Sequence, residues 1–259
     1  MFDRTSMITW VAASVLVLTS PVQAQKSVMT ADDVIASSMA SRGGLARVEA
    51  VRTEKLRGHI SFSSGSQHPF AVDLARPNRI RTVITLDGGQ IVQAYDGKIA
   101  WAINPVQFPD DTTPHLLPAG EAENVAAGGD MDGPLIHYAA KGNHVTYAGI
   151  DTADGRAAYK LDVVTASGLR DTYYVDTTSH LQTKWQGHRV MNGAPVVFES
   201  FFRDYRPVDG VMFAFRIDSG TEGQAGGQSI RLDTVELNAP MPDQQFAMPP
   251  AAAAAKATP

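Results

Sequence analysis

The feature that most constrains this chain is its punctuation. From Arg52 onward, short runs of alternating apolar and polar residues are separated by Ser64-Gly65, Asp87-Gly88, Asp96-Gly97, Asp154-Gly155, Ser167-Gly168, Asn192-Gly193, Asp209-Gly210 and Gly226-Gly227. Such pairs close tight hairpins, because glycine accepts the positive φ those turns require. The period of two predicts strands at 52–63, 67–76, 80–86, 90–95, 98–103, 144–150, 156–165, 169–175, 181–190, 195–202, 211–217 and 228–237. The turns are too short for helical crossovers, so the strands are antiparallel. A single sheet of about eleven or twelve strands must curl or close to stay compact.

Helical signals are confined to the front and the middle. Thr30 ahead of Asp32 and Asp33 reads as an N-cap with acids in the first turn, followed by Val34, Ile35 and Met39 on one face and a stop at Gly43-Gly44. A second short helix is expected over 45–51, with Leu45 and Val48 inward. Residues 107–142 interrupt the strand rhythm with Pro109, Pro114 and Pro118, and hold two further helical stretches, 121–127 and 131–138. An insert of this length in a compact domain usually covers something or is functional.

Residues 1–24 read as a signal peptide. Arg4 (partly cancelled by Asp3) precedes an apolar core from Met7 to Leu18, and Val22-Gln23-Ala24 supplies small residues before a cut. A retained anchor is the alternative, although the apolar stretch is short for a membrane span. Residues 25–249 are then one domain, and the alanine-rich 250–259 a flexible tail. A net charge of -5 offers no attraction for nucleic acid, and the lack of cysteine excludes disulfides, thiolate metal sites and a lipid-modified cysteine.

Catalytic chemistry finds little support. The histidines show no metal-ligand spacing, and His137 and His144 near Asp130 and Asp132 are a weak metal pattern. Gly129-Asp130-Met131-Asp132-Gly133 lacks the remaining ligands of a calcium loop and reads as a polar turn. No nucleophile elbow, phosphate loop or dinucleotide fingerprint occurs, and Asp110-Asp111 has no recognisable pocket. Neither an enzyme nor a bound cofactor is expected. What remains is apolar lining: Phe70, Val72 and Leu74 share a face with Arg76, as do Ile99, Trp101 and Ile103, then Tyr159, Leu161 and Val163, then Val196, Phe198 and Phe202. These sets either fill a closed core or line a cavity able to take hydrocarbon.

Arg76-Pro77-Asn78, followed by Tyr95-Asp96-Gly97-Lys98 and Trp101-Ala102-Ile103-Asn104-Pro105, resembles the LolA/LolB-like periplasmic lipoprotein carriers, in particular the outer membrane lipoprotein-sorting proteins. Gly43-Gly44-Leu45, Asp132-Gly133-Pro134-Leu135, Tyr159-Lys160-Leu161, the run from Thr172 to Asp176, the run from Asp204 to Gly210, and Phe246 with Pro249 extend the resemblance over nearly the whole mature chain. The resemblance implies a mainly β (α+β) fold: an open, strongly curved antiparallel half-barrel of about eleven strands with short helices as a lid.

It also implies a monomeric periplasmic carrier for a lipoprotein acyl chain or lipid, served by an inner-membrane donor and an outer-membrane acceptor. The lid would be built on Val34, Ile35, Met39, Leu45 and Val48. Arg76, matching the arginine that in such carriers lies inside the concavity and bonds the lid, would be the latch; its partner would lie in the first helix or in the 107–142 insert. The alternative role is a periplasmic lipid-sensing or interaction module that signals to a membrane partner. An envelope hydrolase is a third.

Overall fold

The computed structural model describes residues 29–106, 113–191, 194–224 and 226–250. Residues 1–24, where the sequence suggests a signal peptide, Asp110-Asp111, Asn192-Gly193 and residues 251–259 lie outside the described residues. Two helices come first, α1 (Ala31–Ser41) and α2 (Leu45–Ala50). The first meander follows: β1 (Thr53–Phe62), β2 (Gln67–Ala75), β3 (Arg79–Leu86), β4 (Gly89–Tyr95), β5 (Ala100–Ile103) and β6 (His115–Leu116). After α3 (Ala119–Gly128), the second comprises β7 (His144–Ala153), β8 (Arg156–Val164), β9 (Arg170–Asp176), β10 (Gln182–Met191), β11 (Ala194–Val208), β12 (Val211–Thr221) and β13 (Gln228–Leu237).

The thirteen strands of the described residues form one sheet in the order β6-β5-β4-β3-β2-β1-β13-β12-β11-β10-β9-β8-β7. Every neighbouring pair but one consists of strands consecutive in the chain, and the glycine-bearing turns join eight of the twelve pairs. Antiparallel β1–β13 pairing joins the meanders at the centre, and β6 and β7 remain as edges, so the sheet is an open, curved half-barrel rather than a closed barrel. Register breaks at Arg57/Gly58, Tyr147/Ile150 and Gln182/Lys184 add local twist and bending.

This topology gives the insert its task. The chain leaves the sheet at β6 and re-enters at the opposite edge, β7, so the intervening stretch must cross from one rim to the other. It does so over the inner face. There α3 lies against β3, β4 and β5, with Ile80 meeting the backbone at Gly128.

The other helices cover the same face. α1 begins with a capping box, in which Asp33 N–H donates to Thr30 Oγ1 at 3.2 Å and Thr30 N–H to Asp33 Oδ2 at 2.9 Å. Its Val34 packs on Leu161 and Val175, while Met39 joins Val48, Val51, Ile136 and Val211 in a second cluster. The helix junction sits against the β11–β12 turn so closely that a Cβ on Gly43 would lie 2.1 Å from the Gly210 carbonyl oxygen; with φ at +115°, only glycine fits.

Two expectations need correction here. The strand count rises to thirteen because β6, two residues between Pro114 and Pro118, is too short to show a period. The stretch 131–138 is a series of turns rather than a helix, broken by Gly133 at φ +63° and by Pro134, which has no N–H to donate.

The outer face has its own cover. After β13 the chain doubles back and residues 239–250 run over β2–β5. Phe246 is fully buried, Trp101 Nε1 donates to its carbonyl at 2.8 Å, and the Arg79 guanidinium lies 5.2 Å from its ring. Arg79 also pairs with Asp243, and Met248 packs on Val83, Val92, Ala94 and Trp101.

Candidate functional site

Register assigns the faces. Phe70, Val72 and Leu74 stand beside Gly58, Leu56 and Glu54 of β1, on the face that the helices cover, and Arg76 follows them at the end of β2. Ile99, Trp101 and Ile103, expected to line the same concavity, do not: Trp101 pairs with Ala94 on the outer face beneath Phe246 and Met248, Ile103 packs there too, and Ile99 is exposed ahead of β5. Alternation grouped Trp101 with Ile103 correctly, but the face opposite the helices has its own apolar cover.

The Arg76 guanidinium gathers the lid. Its Nη1 and Nη2 donate to the two oxygens of Asp132 at 2.8 and 2.5 Å, a forked pair. Nε donates to the Val51 carbonyl at 2.7 Å, and Nη2 also reaches the Val48 carbonyl at 3.4 Å. One side chain from the sheet therefore holds both the end of α2 and the crossing segment. Arg76 holds the Asp132 carboxyl below the usual carboxylate range. Further ties pin the segment: His137 to Glu49 of α2 at 2.5 Å, Tyr138 Oη to Asp32 of α1 at 3.0 Å, and Lys141 to Asp130 at 2.5 Å. The His137 and Tyr138 ties are exposed, and such contacts contribute little. Among the described residues no three potential metal ligands converge.

Beneath this cover lie two adjoining cavities. The larger, about 660 Å³, has Tyr173, Trp185, Phe198 and Leu169 as its apolar wall; Lys141 with Asp130 and Arg189 with Asp171 supply its polar groups. Trp185 can fold across its own strand because Gly187 has no side chain; a Cβ there would meet the indole at 2.5 Å. The smaller, about 270 Å³, lies between Met39, Met131 and Leu135 above and Leu56, Phe202, Phe213 and Ile217 below. Asp130, Pro134 and Tyr173 border both. Together they fall in the size range of small-molecule sites.

Of the other sequence candidates, Phe198 lines the larger cavity and Phe202 the smaller. Val196 is half-buried two residues from Phe198 along β11. Phe70 joins the Phe215–Leu232–Val235 cluster, while Val72 and Leu74 are buried in the inner face. Leu161 and Val163 are fully buried, the former directly under α1, and Tyr159 stacks on His180 at 6.1 Å. Among the lid residues Val34, Ile35, Met39 and Val48 face the sheet. Leu45 does not: it is 39% exposed, because only the C-terminal end of the six-residue α2 meets the core. Tyr173, Trp185 and Asp132 also belong to the site, and the sequence alone does not single them out. Parity along β9 and β10 could have grouped the two aromatics, but not told which hairpins face them.

Glu54 is a further inner-face group that sequence reading passed over. It stands between Leu74 and Leu237, and its charged neighbours are Arg42, Arg76 and Asp132. Burial pushes its carboxyl up to about 7, against the pull of the two guanidiniums. From the ordinary 4.5 to about 7 the folded chain keeps a proton that the unfolded chain releases, so stability falls as pH rises through that window and stays lower above it. The shift corresponds to something on the order of 3 kcal/mol before solvent screening reduces it. Glu54→Gln should accordingly stabilise the protein at about pH 8 and leave it unchanged below about pH 4.5. Urea unfolding at both pH values checks this, and an equal effect at the two would exclude a titration origin.

Comparison with solved structures places the architecture. A LolA-superfamily protein from Nitrosomonas europaea superposes with a TM-score of 0.58 at 13% identity, over 85% of this chain and 98% of that one. An outer membrane lipoprotein-sorting protein domain from Vibrio parahaemolyticus gives 0.58 at 10% identity, over 83% and 97%. The fold is LolA-like. A DUF1329-family protein from Desulfovibrio piger shares this LolA-like fold at 0.57 and 11% identity, over 84% of this chain and 97% of its own. No protein-family model and no curated protein matches the sequence. Among the described residues no helix is long and apolar enough to cross a membrane.

Proposed function

We propose that this chain is a periplasmic carrier that takes an acyl chain of a lipid or lipoprotein into its LolA-like cavity and delivers it towards the outer membrane, catalysing no reaction. The observation that carries the reading is a pair of cavities with aromatic walls beneath the helices and the crossing segment, where the Arg76 guanidinium ties both to the sheet. Burying acyl carbon contributes about 0.8 kcal/mol per CH₂, so a long chain gains roughly 10 kcal/mol gross. Ordering the chain and opening the roof oppose that gain. The reading is supported by the likeness to a lipoprotein-sorting domain.

Native mass spectrometry of protein isolated from its own periplasm tests it. Co-purifying lipid or lipoprotein is the expected result. A stoichiometric membrane protein without lipid would instead favour a sensing module. Export is part of the same proposal: with cleavage after Val22-Gln23-Ala24, the intact mass should correspond to a chain starting at Gln25. Retention of residues 1–24 would contradict it.

A further inference from the structure

The outer face carries a pocket of its own, unconnected with the acyl-chain reading. Asp73 of β2 is 3% exposed, and both its oxygens are engaged: Arg57 Nη2 donates to Oδ1 at 2.6 Å, and Gln245 Nε2 from the C-terminal segment donates to Oδ2. Arg81 of β3 stands directly opposite Asp73 in the register. Opposite charges so placed normally pair. Here the carboxylate is already taken, and among the described residues Arg81 makes no hydrogen bond or ion pair, only longer-range interactions with Asp73 and Arg57.

Among the described residues no acid meets that cation directly. Asp73 is taken by Arg57 and Gln245, and the other acid of the pocket, Asp233, is turned to His59 at 3.0 Å. Arg57 and Arg81 border a pocket of about 380 Å³, left open on its floor because Ala71 carries only a methyl group. At its far end Gln90 Nε2 donates to Thr85 Oγ1 at 3.2 Å, which leaves the second amide N–H and the Thr85 hydroxyl hydrogen free to donate. Burial disfavours the charge on Arg81, and Asp73 offsets this at a distance. An anion beside the guanidinium would relieve it.

We propose that this pocket on β1–β4 binds a phosphate group borne on a small organic residue, with Arg81 as the principal contact and Thr85 and Gln90 as supporting donors. A phosphate monoester carries close to two charges where a carboxylate carries one, which suits a pocket bordered by two guanidiniums. Thr85 stands four residues along β3 from Arg81, about 13 Å in a strand, so its hydroxyl and the Gln90 amide are placed for the oxygens of a glycerol-sized group that the phosphate bears. The phosphate could belong to a free ester or to a lipid headgroup.

The test titrates the full mature chain with glycerol 3-phosphate, following backbone amide shifts by NMR. In parallel, binding is measured to phosphatidylcholine vesicles with and without phosphatidylglycerol. Saturable shifts centred on Gly58, Ala71, Arg81 and Thr85 are expected, weakening with salt and falling about tenfold or more in Arg81→Gln. Arg81→Lys, which keeps the charge without the fork, should retain intermediate affinity. Arg81-dependent binding to phosphatidylglycerol vesicles without binding of glycerol phosphate would assign the group to a lipid. Absence of both, or binding unchanged in Arg81→Gln and Arg81→Lys, overturns the site.

Discussion

Phe246→Ala should be the most destabilising single truncation on the outer face, lowering the unfolding free energy by about 3–5 kcal/mol. The ring is fully buried between the Arg79 guanidinium and the sheet, in a segment that touches β2–β5 at several points. Deleting it removes the apolar contact and leaves a void that strands held by their ladders cannot collapse to fill. In a domain of this size the midpoint should drop by roughly 10 °C. Urea unfolding with an unchanged m-value would attribute the loss to stability. A loss below about 1 kcal/mol would show that residues 239–250 are a loose appendage. Lipid retention should stay normal in folded Phe246→Ala, since the segment and the cavities lie on opposite faces.

That opposition of faces marks the boundary of what the sequence discloses. The turns fixed the strands, because Asp-Gly and its equivalents between alternating runs leave few other conformations. Parity within a strand was equally legible: Arg76 falls on the face of Phe70, Val72 and Leu74, and the Thr30–Asp33 cap could be read from residue types alone. Alternation states only which residues share a face, however, and not which face is covered by what. For Ile99, Trp101 and Ile103 the missing fact was the course of residues 239–250, which approach from about 145 positions away. The aromatic wall of Tyr173, Trp185 and Phe198 needs three adjacent strands in register, and only β9–β10 and β10–β11 pairing supplies it. The β1–β13 joint, which turns two meanders into one half-barrel, has no local signal at all. It also makes the proline-rich insert a crossing between rims, which is why Asp132 comes to meet Arg76.

Arg76→Leu should shift the lid towards its open form, so that the protein retains more lipid and passes it on more slowly while remaining folded. The substitution keeps much of the bulk but removes the fork to Asp132 and the bonds to the Val48 and Val51 carbonyls. It also strands the Asp132 carboxylate on a poorly hydrated face near Glu54, another acid. Losing charge-assisted bonds of this kind costs roughly 1–3 kcal/mol, borne chiefly by the closed state that makes them. The open population should then rise by about one to two orders of magnitude. A carrier releases cargo because its closed empty state competes with its loaded state; weakening the former favours the latter. Lipid retained after purification and transfer to acceptor vesicles should be compared for wild type, Arg76→Leu and Arg76→Lys, well below each midpoint. The lysine keeps the charge and loses the planar fork, so it should fall between the other two. If retention and transfer in Arg76→Leu match wild type, the Asp132 fork is a structural tie and not a latch, and release must be controlled elsewhere in the roof.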